Sequence, residues 1–507
     1  VQAVTGRSND HTPVGREPLR AHAAEKSDEP MVPKKPGNAV VTPADSVEGR
    51  GEANGNPAQG DAVRTQERDA VFTRLARVGE KARTDKEVRF TNLLSLLKVP
   101  LLSEAYQRLR KDAATGVDQV TWREYGEDLD ARLADLQERI HRGSYRALPV
   151  RRVHIPKGDG RTRPLGIPAV EDKIVQQAVK MILEPIYEPM FLGLSYGFRP
   201  GRNQHDALDA LAVALGRKVS WVLDADIRSF FDTIEHEWMR KFIEHRIGDT
   251  RLVRLLLKWL HAGVMEDGKL EVVEEGTPQG GVISPLLANI YLHYALDLAV
   301  AAWRKKHARG EVYIVRYADD FVICFQYERE AREMRTALAG RLALFGLELH
   351  PEKTRVIRFG RYAIEDCKRD GRRKPETFDF LGFTHIEGRT RAGKPTLLRR
   401  TSRKKRTTKL AALRTEIRKR RHRPVHEQQR WLSSVLRGHY QYYGVPHNYR
   451  ALASFFYAVE SQWHRSLQRR SQRGRWTIEE RERFRRRRPL PMPSIRHPWP
   501  SQRFALR

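Results

Sequence analysis

The first stretch of the chain shows no apolar pattern, the next shows one at helical spacing, and a third alternates short β-branched runs with longer periodic segments. Residues 1–69 are rich in Pro, Gly, Ala and charge, and the first aromatic residue is Phe72. Such a stretch cannot bury enough apolar surface to order itself, which predicts a disordered basic and polar tail. Within 70–149, Leu93, Leu94, Leu96 and Leu97, and then Leu129, Leu133, Leu136 and Ile140, recur as one face of a helix does, which predicts a helical extension. From 150 to 385 the runs Val219 to Leu223, Val312 to Val315 and Phe321 to Phe325 read as strands between helices. Residues 386–476 read as helical and dense in Arg and Lys, and 477–507 as an Arg- and Pro-rich tail. The expectation is an α+β fold in which a sheet-bearing unit precedes an α-helical domain.

Composition narrows the partner. The 507 residues carry a formal net charge of +31, more than solubility requires, so a polyanion is expected, with an anionic membrane surface as the competitor. Cys324 and Cys367 are too few for a disulfide framework or a four-cysteine zinc site, and a reducing cytoplasm fits them. No run approaches the roughly 18 apolar residues of a membrane span, so no membrane association is expected.

Candidate chemistry lies in acids at strand ends. In Trp221-Val-Leu-Asp-Ala-Asp226 an apolar run leads to Asp224 and Asp226, which share a face because strand residues two apart do so. Further on, Tyr317-Ala-Asp-Asp320 separates two strand-like runs, a hairpin with Asp319 and Asp320 at its tip. An Asp pair there is also ordinary turn chemistry. Acids that interrupt apolar strands are costly, however, unless they share a cation. Carboxylate oxygens suit Mg2+, and two such ions can activate a 3′-hydroxyl and stabilise the leaving oxygen of an in-line phosphoryl transfer.

Cations and aromatics supply the rest. Arg151 to Pro168 reads as a hairpin whose Gly-Asp-Gly turn aims Lys157, Arg161 and Arg163 outward, either toward a triphosphate or as a solvated edge. Thr277-Pro-Gln-Gly-Gly281 is a turn whose glycines allow close backbone approach to a ligand. Ser195-Tyr-Gly-Phe-Arg-Pro-Gly-Arg202 has the mixture that grips a nucleic-acid strand. A helix is read across Arg399 to Arg423, and Arg437-Gly-His-Tyr440 with Tyr442 and Tyr443 combines charge with rings that either stack on bases or pack a core.

Tyr-Ala-Asp-Asp, Asp226-Ile-Arg-Ser-Phe-Phe-Asp232 and Thr277-Pro-Gln-Gly-Gly281, in that combination and spacing, resemble the reverse transcriptases encoded by group II introns. The resemblance runs from about Leu93 to Trp476. It implies a right-hand polymerase of fingers and antiparallel palm, followed by a helical thumb and maturase domain. It also implies an RNA-directed DNA polymerase in which Asp226, Asp319 and Asp320 hold two Mg2+ ions, with Asp224 supporting them. In that family the residue matching Phe231 lies under the sugar of the incoming nucleotide, and those matching Lys157, Arg163 and Gln279 contact the dNTP. Lys353, in His350-Pro-Glu-Lys-Thr354, would neutralise or protonate the leaving pyrophosphate, or is a plain surface lysine. Arg199, Arg202, Arg437 and Tyr440 would contact nucleic acid. The implied partners are a group II intron RNA, a DNA target and primer, and dNTPs.

One departure qualifies this. Many relatives carry a Cys-rich endonuclease region, whereas only an Arg- and Pro-rich stretch without cysteine follows Trp476, so a primer from elsewhere is expected. Two other readings stay open: a splicing factor without polymerase activity, and a related polymerase recruited to defence or sequence diversification.

Overall fold

The computed structural model describes residues 59–156, 162–266, 269–271, 280–390, 392–470 and 476–500. The tail expected over 1–69 lies outside these residues as far as position 58, but its last part is helical, since α1 spans Gln59–Thr84. Gln, Glu, Arg and Ala there form helix well, and a reading based on missing aromatics overlooks them. A 3-10 turn at Leu94–Leu96, α2 (Val99–Arg108), α3 (Trp122–Gly126) and α4 (Leu129–Arg142) follow. Thr121 and Glu124 close a reciprocal cap at the start of α3. Leu133, Leu136 and Ile140 form the buried stripe of α4, and Gly143 ends it at φ +84°.

Strands β1 (Val150–Pro156) and β2 (Thr162–Ile167) pair antiparallel, followed by α5 (Val170–Tyr187) and α6 (Gln204–Leu215). Next come β3 (Trp221–Ala225), α7 (His236–Glu244), α8 (Thr250–Leu260), β4 (Val264–Glu266) and β5 (Lys269–Glu271). The first sheet has the order β2-β1-β4-β5. Helices α9 (Ser284–Leu292) and α10 (Leu298–His307) are joined through a π-helical segment at His293–Asp297. This stretch, Ser284–His307, is long and apolar enough to cross a membrane, contrary to the run-length reading, but 72% of its 18-residue apolar window is buried inside the fold.

The central sheet is wholly antiparallel in the order β6-β7-β3-β8, where β6 is Val312–Tyr317, β7 is Asp320–Phe325 and β8 is Arg355–Arg358. Helix α11 (Glu328–Ala343) lies between β7 and β8. The strand alternation divides two cores. Leu223, Ile314, Phe321, Ile323 and Phe325 face one, and Val222, Val315, Val322, Cys324 and Ile357 face the other, with α6. Both faces are covered, which accounts for the nearly unbroken apolar run Phe321 to Phe325.

After α12 (Ala363–Arg369), a second antiparallel sheet has the order β11-β10-β9, from β9 (Phe378–Phe380), β10 (Phe383–Arg389) and β11 (Pro395–Thr401). The helical reading from residue 386 is therefore corrected: strand structure continues to Thr401. Helices α13 (Arg403–Lys419), α14 (Val425–Tyr443) and α15 (Tyr449–Gln468) then pack on a third core built around Leu432, Leu436, Phe455 and Trp463. The segment beyond 476 is not a loose tail in its described part. Helix α16 (Ile478–Arg487) ties Arg485 to Glu460, and Leu490 is buried.

Candidate active site

Asp226 directly follows β3, and register places Ala225 opposite Phe321, so the end of β3 lies beside the start of β7. Tyr317 pairs with Asp320, which leaves Ala318 and Asp319 as a two-residue turn. Ala318 has a φ of +57°, a conformation that costs a non-glycine residue energy and must be held by its surroundings. Two clefts meet here. One, of about 1100 Å³, is lined by Asp224, Asp226, Asp320, Lys353, Arg355 and Lys404 among others. The other, of about 660 Å³, is lined by Asp226, Phe231, Asp319 and Lys353 with Pro164. Asp226, Glu352 and Lys353 form the wall the two clefts share.

The electrostatics are set by burial of the acids against a few neighbouring cations. Burial within the cleft walls, together with Asp319 and Asp226, raises the Asp320 carboxyl to about 7, although one side of the residue is open to solvent. Burial likewise raises Asp224 to about 6, only partly offset by Arg355 at 3.3 Å. The Lys353 ammonium bonds the Asp226 carboxylate. Among the described residues no three His, Cys, Asp or Glu side chains are closed into a ready metal cage. Crowded carboxylates that resist ionisation fit divalent ions, and an open set suits ions whose shell is completed by substrate phosphate.

Neighbouring loops fix the walls. His350 N–H donates to Asp226 O at 2.7 Å and Arg228 N–H to Glu348 O at 2.9 Å. Phe230 is the core ring of its pair, while Phe231 is half-buried at the cleft wall with the two ring centres 5.2 Å apart. Gly280 takes φ +123°, and a Cβ there would lie 2.4 Å from Gly166 O of β2. Val282 N–H donates to Gln176 Oε1 at 2.8 Å, seating this glycine turn against α5. Lys157, Arg161 and Gln279 lie outside the described residues, and Arg163 is placed by its backbone alone, opposite Ile155.

Three expected nucleic-acid contacts are corrected. Arg199 is 5% exposed; its guanidinium holds the Glu188 carboxylate at 2.8 Å and the carbonyls of Leu192 and Ser195, each also at 2.8 Å. Arg202 is half-buried over the Tyr196 ring and donates to Gly193 O and Ser195 O. Tyr440 is fully buried and its hydroxyl donates to Pro491 O. The mixture of cations and rings that suggested a nucleic-acid grip is turned inward at all three positions. Arg437 is exposed on α14.

Sequence reasoning missed the support behind the acidic turn: Arg316, Asp297, Asn289 and Gly197. A signal existed, because Arg316 and Asp297 each interrupt an apolar run, and buried charges come in pairs.

Adjacent aspartates at a hairpin turn, a third just past the end of a neighbouring strand and basic residues along the cleft are the arrangement expected of a polymerase-type phosphoryl-transfer site. The family model described as reverse transcriptase (RNA-dependent DNA polymerase) matches residues 155–385. Protein YkfC of Escherichia coli (strain K12) is 37% identical over 350 residues, covering 62% of this chain and 87% of that protein. The group II intron-encoded protein LtrA of Lactococcus lactis subsp. cremoris is 38% identical over 240 residues, covering 46% of this chain and 39% of LtrA. Nuclear intron maturase 4, mitochondrial, of Arabidopsis thaliana is 32% identical over 130 residues, covering 25% and 16%. The chain thus spans most of YkfC but about two fifths of LtrA. It belongs to the reverse transcriptase family, in its group II intron type, whose enzymatic class is RNA-directed DNA polymerase.

Proposed function

We propose that this protein copies RNA into DNA at the Asp226, Asp319 and Asp320 site, and that it binds a group II intron RNA to assist splicing before copying that RNA into DNA. The observation that carries the polymerase reading is the register that sets the end of β3 beside the β6–β7 turn, with both clefts opening at Asp226. In this reading the central sheet is the palm, the β1–β2 sheet with α5 the fingers, and α13 to α15 the thumb and maturase domain.

The three aspartates would hold two Mg2+ ions, which supply a lowered pKa for the attacking 3′-hydroxyl and charge neutralisation for the leaving oxygen. The chain does the positioning. Phe231 presents its ring at the wall of the smaller cleft, where a 2′-hydroxyl would meet it. Lys353, on the shared wall, sets an ammonium where phosphate charge accumulates. Arg355, Arg403 and Lys404 line the larger cleft, where a nucleic-acid backbone would lie.

The test is dNTP incorporation on a primed RNA template with Mg2+, comparing wild type with Asp319→Ala. Incorporation should vanish in the variant while RNA affinity is kept, because binding rests on distributed phosphate contacts. A well-folded wild type that binds RNA and incorporates nothing would overturn the polymerase reading in favour of a splicing factor.

A further inference from the structure

Behind the acidic turn lies a polar cluster that lines neither cleft and is sealed from solvent. Arg316 precedes the turn on β6, and its side chain and that of Asp297 are each 0% exposed. The guanidinium grips the Asp297 carboxylate at both ends, Nε to Oδ1 at 2.7 Å and Nη2 to Oδ2 at 2.6 Å. Its remaining nitrogen, Nη1, donates to Asn289 Oδ1 at 3.0 Å and to Ala318 O at 2.9 Å, so it holds the carbonyl of the first turn residue. Asn289, 1% exposed, passes the linkage on, its Nδ2 donating to Gly197 O at 2.8 Å. Gly197 in turn lies flat on the turn, since a Cβ there would sit 2.3 Å from Ala318 N. The same loop pairs with β6 through Arg316 N–H to Leu194 O at 2.9 Å and Tyr196 N–H to Arg316 O at 2.8 Å.

We infer that Arg316, Asp297 and Asn289 are positioning residues that set the Ala318–Asp319 turn, and through it the spacing of Asp319 and Asp320 from Asp226. Four features support this. The cluster bonds the turn backbone itself, not merely the sheet below it. The turn needs an external hold because Ala318 keeps a left-handed φ without being glycine. Asp297 is the last residue of the π segment, an irregularity that recurs at functional positions. A bidentate, fully buried pair also has one geometry, so it transmits position with little slack. The inference rests on the reading of Asp319 and Asp320 as metal ligands.

Asn289→Ala is the informative variant, because it leaves the buried ion pair intact while cutting the link to Gly197. Gly197→Ala pushes the same turn from the other side. Measurements on the full chain with primer and template are kcat, dNTP KM, RNA affinity, Tm, and Mn2+ affinity by electron paramagnetic resonance. A displacement of an ångström at reacting groups is worth ~10²-fold, so kcat should fall ~10- to 100-fold in both variants. Mn2+ affinity should weaken several-fold, with dNTP KM and RNA affinity unchanged and Tm lowered only a few degrees. Wild-type kcat and Mn2+ affinity in either folded variant would overturn the inference, as would a loss of kcat that merely follows loss of folded protein. An active wild type inactivated by Asp319→Ala, measured alongside, keeps the polymerase reading standing if the positioning role fails.

Discussion

Replacing Arg199 with methionine separates two accounts of the Ser195–Arg202 loop. If the guanidinium serves the loop, as its bonds to Glu188, Leu192 and Ser195 indicate, the variant loses stability. If it serves a nucleic-acid phosphate, the variant loses affinity. Methionine keeps the stem against Phe191, over whose ring the guanidinium lies at 5.2 Å, and deletes only charge and donors. Removing one partner of a buried ion pair costs about 3–5 kcal/mol. The Glu188 side chain retains 21% exposure, so water offsets part of that and the low end, about 3 kcal/mol, applies. For a cooperative unit of roughly 150–250 residues this corresponds to a fall in Tm of about 6–12 °C. The assay pairs thermal unfolding with RNA binding as a function of salt. Expected is the Tm loss with an unchanged slope of log K against log salt for the folded fraction. A variant as stable as wild type whose slope is shallower by about 0.7, one phosphate contact on a single strand, would refute the reasoning.

Two further substitutions probe the glycine turn and a buried imidazole. Gly280→Ala must force β2 away, because its Cβ would lie 2.4 Å from Gly166 O at a φ of +123°; nucleotide incorporation should fall about 10²-fold while RNA binding holds, as single-turnover kinetics and a binding titration would show. His385 is wholly buried, and burial, with Arg399 nearby, pushes its imidazole down to about 3. A depressed pKa means the unfolded chain takes the proton first, so this group's contribution to stability is present above about 6.5 and is lost as pH falls toward 3. His385→Phe, which keeps the stack on Phe378, should therefore move the acid-unfolding midpoint to lower pH; an unmoved midpoint would show that the buried imidazole does not drive that loss.

What the sequence disclosed is what local pattern encodes. The strands around the acids are legible because residues such as Val222 and Leu223 alternate between two covered faces, and the α4 stripe because Leu133, Leu136 and Ile140 keep helical spacing. The direction of polar side chains was not legible. Arg199 and Tyr440 have the same neighbours in sequence whether they face a phosphate or a carbonyl, and only the fold brings Glu188 and Pro491 to them. The β10–β11 hairpin was hidden because its strands carry Arg389, Arg399 and Arg400, so charge density read as helix while the pairing of His385 with Arg399 is a long-range fact.

The distribution of charge explains why so basic a protein should gather acids that resist ionisation. With a net charge of +31, an isolated carboxyl would be expected to ionise readily, yet Asp320 is held up at about 7 and Asp224 at about 6. The neighbouring cations therefore offset the burial of these two acids only in part. Of the described cations, Arg316 is sealed behind the turn with Asp297, Arg355 leans on Asp224, Lys404 lines the larger cleft, and Lys405 draws the Asp320 carboxyl down. Lys353 alone among the described lysines forms an ion pair with one of the three aspartates. Carboxylates whose burial the neighbouring cations offset only in part retain oxygens for divalent cations brought from outside, while the remaining basic surface is left to hold the polyanion on which those cations act.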